Sequence, residues 1–234
     1  CRKADFQNIS IDLIYGLPGE TKERWENDLR QAISLNVEHI SAYHLTYEEG
    51  TRIYELLQAH RIHEVDEESS VRFFSTLMDT LDNAGYEHYE ISNFCRSDMY
   101  SRHNTSYWKG IPYLGCGPSA HSFNTDTREW NVASLEKYIH AIENNQRLSE
   151  QEHLDRTTCY NECIMTSIRT RWGVPLNDIE QKFGKELWQY CFDMARPHLD
   201  CGNLEIYDNN RLCLSRKGIF VSDGIISDLM FVES

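Results

Sequence analysis

The sequence has no long apolar run, few basic residues and no cysteine framework. No stretch of about 18 apolar residues occurs, so we expect no membrane-spanning helix. Only 23 Lys and Arg face 37 Asp and Glu, giving a formal net charge of −14. This charge argues against a nucleic-acid partner, because phosphate binding depends on clustered cations. The eight cysteines are scattered, which predicts reduced thiols and a cytoplasmic protein.

Several common catalytic and metal-binding motifs are also missing from the sequence. It contains no His-Glu-x-x-His zinc motif, no Gly-x-Ser-x-Gly elbow and no Walker loop, and Gly115-Cys-Gly117 is too short for a dinucleotide fingerprint. Cys159 and Cys163 have the spacing of an iron–sulfur loop, but Thr166 stands where its third cysteine would be. Both thiols fall on the apolar face of a predicted helix, so we interpret them as core thiols.

The most informative stretch is residues 9–21, Ile-Ser-Ile-Asp-Leu-Ile-Tyr-Gly-Leu-Pro-Gly-Glu-Thr. Its first seven residues predict a strand with one apolar face and one mixed face that carries Asp12. Such a strand suits a parallel sheet whose second face looks into a barrel or cleft. Gly16 and Gly19 allow a tight turn at the carboxyl end, where α/β proteins place ligands. Asp12 is thus either a site residue or a carboxylate that caps or pairs locally.

A helix over residues 21–35 and a second strand over residues 39–47 complete a strand–helix–strand unit. The two strands should therefore be parallel, with a right-handed crossover. Two strands do not make a stable sheet alone, and the sequence starts at Cys1. We expect the chain to be a fragment whose missing N-terminal part supplies the remaining strands.

The sequence as a whole predicts three regions, 1–50, 51–133 and 134–234. The second region is an α/β connecting and site-closing part, with a helix over 66–84, a strand over 86–91, and loops and short strands over 102–132. The third is largely helical, with helices over 134–145, 155–169, 177–183, 186–199 and 219–230, and strands over 204–207 and 211–214. This ending is winged-helix-like. Its one basic cluster is Arg211, Arg216 and Lys217, so we favour a packing or lid role over DNA binding.

His103 stands out among the ten histidines because Tyr107 and Trp108 follow it closely. An imidazole flanked by aromatic rings could ligate haem iron while the rings stack on the macrocycle. The alternative is a loop histidine bonded to the backbone, which spacing alone favours. The residues by themselves leave both interpretations open.

Four segments together are similar to a known family. They are Ile11-Asp-Leu-Ile-Tyr-Gly-Leu-Pro-Gly-Glu-Thr21, Gly85-Tyr-Glu-His-Tyr-Glu-Ile-Ser-Asn93, His103-Asn-Thr-Ser-Tyr-Trp108 and Tyr113-Leu-Gly-Cys-Gly-Pro-Ser-Ala-His121. They resemble the radical S-adenosylmethionine (SAM) proteins related to oxygen-independent coproporphyrinogen III oxidase, nearest to the HemW haem chaperones. The resemblance implies an α/β fold: the last βα units of a partial (β/α)6 barrel, followed by a mixed α+β, largely helical HemN-type C-terminal domain.

The resemblance also implies site residues and cofactors. Asp12, Thr46 and His121 match positions beside SAM, although Thr46 and His121 differ in type from the oxidase's residues, so only backbone contacts carry over there. The motif from His103 to Trp108 resembles one associated with haem in the chaperones. It makes His103 the expected axial iron ligand, with Tyr107 and Trp108 as further haem-binding residues. SAM, a [4Fe-4S] cluster and haem are the expected cofactors of the full-length protein.

One departure from the family is large. Its Cys-x3-Cys-x2-Cys cluster loop does not occur in this sequence, so the chain supplies no [4Fe-4S] ligands and should bind neither cluster nor SAM alone. Two functional hypotheses remain. The first is a haem chaperone that passes haem to an acceptor protein, and the second is an enzyme that oxidatively decarboxylates coproporphyrinogen III. We expect the fragment alone to be inactive.

Overall fold

The computed structural model describes residues 1–208 and 210–232. The chain folds as two compact units, 1–101 and 102–234, which we call the N-unit and the C-unit. No helix among the described residues is long and apolar enough to cross a membrane. The division of the sequence at residues 50 and 133 stays a prediction.

The N-unit is a four-stranded sheet covered by helices. The strand order is β1-β2-β4-β3, with β1 and β2 parallel and the other neighbours antiparallel. The parallel pairing of β1 with β2 confirms the predicted strand–helix–strand unit. The elements are β1 (Ser10–Tyr15), α1 (Lys22–Ser34), β2 (His39–His44), α2 (Arg52–Gln58), α3 (Glu67–Asn83), β3 (Glu87–Glu90) and β4 (Asn93–Cys95).

Side-chain caps and apolar periodicity explain the two long helices of the N-unit. Thr21 caps α1 and Asp66 caps α3, each accepting a backbone N–H from the first turn. Trp25 and Leu29 are buried, and the Trp25 indole donates to a backbone carbonyl of α3. On α3, Phe73 is buried, whereas Val71 is exposed.

Two elements of the N-unit were not predicted, α2 and β4. The predicted strand over 86–91 is a shorter β3, after which the chain reverses and β4 inserts between β2 and β3. β4 has three residues, and its Asn93 interrupts the apolar pattern. A strand this short shows no alternation from which it could be recognised.

The C-unit contains two three-stranded antiparallel sheets and several helices. The strand orders are β5-β6-β7 and β8-β10-β9. The elements are α4 (Arg102–Trp108), β5 (His121–Phe123), β6 (Thr127–Asn131), α5 (Leu135–Glu143), β7 (Ser149–His153), α6 (Arg156–Ile168), β8 (Val174–Pro175), α7 (Leu176–Asp200), β9 (Leu204–Tyr207), β10 (Arg211–Leu214), α8 (Arg216–Ile219) and α9 (Ser222–Leu229).

The main core of the C-unit lies among α6, α7, the β8-β10-β9 sheet and α9. Tyr160, Ile164 and Ile168 of α6 are fully buried there. Gly184 has a φ of 76°, which breaks α7 into the predicted helix pair. β9 and β10 form the predicted hairpin, although Asn209 in its turn lies outside the described residues. The likeness of this region to a winged helix stays a prediction.

The predicted loops over residues 102–132 were wrong in their first part, which is the helix α4. Loops were predicted because the stretch as a whole is rich in glycine. Residues 102–108 contain no glycine, however, and the first one, Gly110, follows the helix end. The short strands β5 and β6 confirm the remainder. Strand β7 was missed because its five residues are polar and exposed, so they carry no alternating apolar signal.

Candidate functional sites

In the N-unit, Asp12 lies on the mixed face of β1, as predicted. Along β1, the exposed residues Ser10, Asp12 and Ile14 alternate with more buried ones. Asp12 is paired in register with Ser41 of β2. Thr46 is exposed and follows the carboxyl end of β2. The two expected SAM-side residues of this unit therefore belong to neighbouring parallel strands.

A buried polar row continues across the sheet from Ser41. Its hydroxyl donates to Asn93 Oδ1 at 3.1 Å, and Asn93 Nδ2 donates to Glu90 Oε2 at 2.6 Å. The same carboxylate oxygen accepts the Ser92 N–H at 2.9 Å. Ser41, Asn93 and Glu90 are each less than 5% exposed. A buried carboxylate is costly unless it is hydrogen-bonded, so these contacts hold the three side chains in one arrangement.

Sequence reasoning missed this row. Glu90 and Asn93 fall within the family segment that ends at Asn93, and two polar residues beside short apolar strands were the available signal. Nothing in the sequence paired them with Ser41, because β4 was not predicted.

His39 forms a second buried polar contact beside this row. Its Nδ1 lies 2.8 Å from Ser10 Oγ, and its Nε2 lies 2.7 Å from Tyr89 Oη. Burial lowers the pKa of His39, and the nearby charge of Asp12 opposes that shift. The imidazole is therefore neutral near pH 7 and links β1, β2 and β3.

The loop after β1 is fixed by its own residues. The Glu20 carboxylate accepts the Gly16 N–H at 2.6 Å and the Leu17 N–H at 3.1 Å. Gly16 has a φ of 77°, and a Cβ there would lie 2.5 Å from His44 Nε2. Only glycine fits this position without movement, as the glycine-rich turn predicted.

In the C-unit, the short helix α4 brings the three expected haem residues together. His103 and Tyr107 are four residues apart and share a face, with ring centroids 4.9 Å apart and an interplanar angle of 89°. Both side chains are exposed, and Trp108 is half-buried. His103 is thus presented at the surface against an aromatic ring, and its position on a helix corrects the expectation of a loop.

The aromatic contacts continue from α4 to β5. The rings of Tyr107 and Tyr113 lie 4.8 Å apart, and those of Tyr113 and Phe123 lie 6.0 Å apart. Burial raises the pKa of Tyr113, so its hydroxyl stays neutral. A row of rings therefore runs from the imidazole of His103 to the β5-β6-β7 sheet.

This row borders a cavity of about 720 Å³ within the C-unit. Tyr107 and Trp108 line it, together with one side of α6. Cys159 and Cys163 pack against the core, as predicted, and also face the cavity. Burial raises the pKa of both thiols, so they are protonated near neutral pH and lack the thiolate character of metal ligands.

His121 also belongs to the C-unit. It is exposed on β5, and its ring lies 5.9 Å from that of Trp130 on β6. The preceding loop is held by Asn131, whose amide donates to the carbonyls of Gly115 and Gly117 at 3.2 and 2.9 Å. The backbone around His121 is thereby fixed, which suits the backbone contact expected at this position.

The described part of the chain contains no group of three His, Cys, Asp or Glu side chains that could hold a metal ion. Its residues therefore do not fit an iron–sulfur cluster by themselves. Haem is different, because it requires one or two axial ligands and an apolar surface for the macrocycle. His103 beside Tyr107 supplies groups of these two kinds.

Comparison with known proteins finds a group of proteins to which the chain is similar. The HemN C-terminal domain profile matches residues 154–221. The protein "Heme chaperone HemW" of Bacillus subtilis (strain 168) is 34% identical over 187 residues, covering 80% of this chain. "Heme chaperone HemW" of Synechocystis sp. is 37% identical over 251 residues, covering 97% of this chain. The chain is therefore similar to the HemW and HemN proteins of the radical SAM family.

A solved structure has a fold similar to that of this chain. The structure is described as "Coproporphyrinogen III oxidase (HemN) from Escherichia coli is a Radical SAM enzyme". It matches with a TM-score of 0.74 at 19% identity, over 98% of this chain and 56% of that chain. The chain spans 49% of the Bacillus relative and 60% of the Synechocystis relative, about half of the length of these proteins.

Proposed function

We propose that the protein is a haem chaperone that binds haem through His103 and passes it to an acceptor protein. The observation that carries this proposal is the exposed imidazole of His103 on α4, which contacts the ring of Tyr107, a residue that lines the cavity. Relatives named as haem chaperones that are 34% and 37% identical support it. The partner that receives the haem is proposed only as a class, an apo-protein with a higher haem affinity.

The fold likeness supports a wider proposal for the full-length protein. β1 and β2 would be the last strands of a partial (β/α)6 barrel whose earlier part carries a [4Fe-4S] cluster and SAM. Asp12 of the N-unit would then face SAM, and Thr46 of the same unit would contact it through its backbone. We place the protein in the cytoplasm, in accord with its reduced cysteines.

Haem titration of the protein beside a His103→Ala variant tests the proposal. We expect the variant to bind haem at least about tenfold more weakly, the equivalent of about 1.4 kcal/mol. His140→Ala is the matched control, because His140 is another exposed histidine on a helix of the C-unit. Equal affinities of all three proteins would remove His103 as the ligand. Wild-type protein that holds haem in the presence of an apo-haem protein would argue against transfer.

The fold likeness to the oxidase supports a second candidate function, the oxidative decarboxylation of coproporphyrinogen III. An anaerobic assay of the full-length protein with reconstituted cluster, a reductant, SAM, coproporphyrinogen III and an electron acceptor distinguishes the two. Loss of propionate carboxyl groups as CO2 would favour the enzyme. Haem binding without turnover would favour the chaperone.

A further inference from the structure

The cavity of the C-unit has the features of a ligand site. Its volume of about 720 Å³ lies within the range of about 300–1,000 Å³ typical of small-molecule pockets. Six of its 21 lining residues are aromatic. The lining rings are those of Tyr107, Trp108, Tyr113, Phe123, Trp172 and Phe183.

The side of the cavity formed by α6 and the residues after it carries polar side chains, but several of their hydrogen-bonding groups are already used within the protein. The Thr166 hydroxyl donates to the carbonyl of Glu162 at 2.7 Å, and the Thr170 hydroxyl donates to that of Ser167 at 2.8 Å. Cys163 is a protonated thiol, because burial raises its pKa. These donors are already used within the helix, so this wall offers a ligand mainly methyl groups and sulfur.

The charges of the cavity are mostly positive and lie among the aromatic residues. The cations are Lys109, Arg128 and Lys182, and the anions are Glu162 and Asp178. Arg128 is paired with Glu162 at 2.7 Å, which neutralises part of this set. Lys109 lies over the Trp172 ring, 5.1 Å from its centroid. That contact leaves its ammonium available to an anion as well.

From these features we infer that the cavity holds the body of a planar, apolar ligand that carries carboxylates, namely the tetrapyrrole. This inference rests on the proposed function and deepens it. The aromatic walls stack on the macrocycle, and Lys109 and Lys182 pair with its propionates. Tyr107 lines the cavity and also contacts the ring of His103.

Metal-free protoporphyrin IX is the appropriate probe, because it contains no iron for His103 to ligate. Its binding is measured by quenching of the tryptophan fluorescence, to which Trp108 and Trp172 in the cavity wall contribute. Thr166→Trp places a large ring inside the cavity. We expect it to weaken porphyrin binding at least about tenfold, whereas Gln189→Trp, on the exposed surface of α7, leaves binding unchanged.

A second variant keeps the test decisive if Thr166→Trp does not fold. The double variant Lys109→Ala/Lys182→Ala changes two exposed side chains. We expect it to weaken protoporphyrin IX binding several-fold and to leave binding of the porphyrin dimethyl ester, which lacks the carboxylates, unaffected. Lys185→Ala is the matched control on α7 outside the cavity. Equal losses for acid and ester would overturn the pairing with carboxylates.

The outcomes separate this inference from the proposed function. If folded Thr166→Trp and the lysine variant bind porphyrin as wild type does, the cavity is not the site, even if haem still depends on His103. If the porphyrin binds in the cavity but His103→Ala binds haem normally, the cavity stands and the axial ligand is wrong. If wild type binds neither haem nor porphyrin, both proposals fail.

Discussion

The two units present their candidate site residues in opposite ways. In the N-unit, Asp12 lies on a sheet that also carries the buried side chains of Ser41, Asn93 and Glu90. Ser41 is hydrogen-bonded to Asn93, and Asn93 to Glu90. In the C-unit, His103 lies exposed on a seven-residue helix, beside aromatic rings and an open cavity. The first arrangement is fixed by polar contacts, and the second is available to a large apolar ligand.

This difference predicts that substitutions will separate stability from binding. A buried hydrogen-bonded group destabilises the fold when its partner is removed, because the remaining polar atoms are left without water. An exposed imidazole contributes little to stability, so its loss changes only what it binds. Changes in the N-unit row should therefore reduce the free energy of unfolding, and changes at His103 should reduce ligand affinity.

The largest effect on stability is expected for Glu90→Ala. It leaves the Asn93 amide and the Ser92 N–H buried without an acceptor, at a cost of about 3 kcal/mol in the free energy of unfolding. Urea denaturation, with hydrogen exchange at the amides of β2 and β4 to localise the loss, measures it. Glu90→Gln retains an acceptor oxygen and should lose much less. Equal losses in the two variants would show that packing, and not the hydrogen bonds, stabilises this row.

A smaller loss is expected for Gly16→Ala. The positive φ costs an L-residue roughly 1–2 kcal/mol, and the new methyl group must displace the His44 ring. Gly19→Ala is the matched control, since its φ is also positive at 73° but its Cβ would have open space. Thermal unfolding of both variants separates the cost of the His44 contact from the cost of the positive φ. If both lose the same stability, the His44 contact contributes nothing.

The smallest effect is a pH dependence confined to the N-unit. Burial lowers the pKa of His39 in the folded state. Its contribution to the free energy of unfolding is therefore fully present above its pKa in the unfolded chain, about 6.5, and is lost as the pH falls toward its pKa in the folded protein. Amides of β2 should therefore lose protection below about pH 6.5. His39→Gln should flatten this dependence, whereas His140→Gln should not. An unchanged slope in His39→Gln would remove His39 as its source.

Much of the fold could be predicted because long amphipathic segments determine it. The helices α1, α3, α5 and α6 and the parallel pair β1 and β2 follow directly from their apolar periodicity. The elements that were missed, α2, α4, α8, β4, β7 and β8, are short, polar or both. Their structure depends on tertiary contacts that a single segment of sequence does not encode.

The candidate sites were predictable to different degrees. The position of Asp12 on the mixed face followed from strand alternation, and the pairing of His103 with Tyr107 followed from a spacing of four once the segment is helical. The buried row through Glu90 and the cavity beside α6 join residues far apart in the chain. No local pattern could reveal them.

The most direct test of the central claim is the absorption spectrum of the ferric haem complex of the protein and of His103→Gly. We predict that the variant loses the Soret band of the imidazole-ligated complex. Added imidazole should restore it, because the small ligand can occupy the space left by the side chain. A His103→Gly spectrum identical to that of wild type without imidazole would contradict the assignment of His103 as the iron ligand.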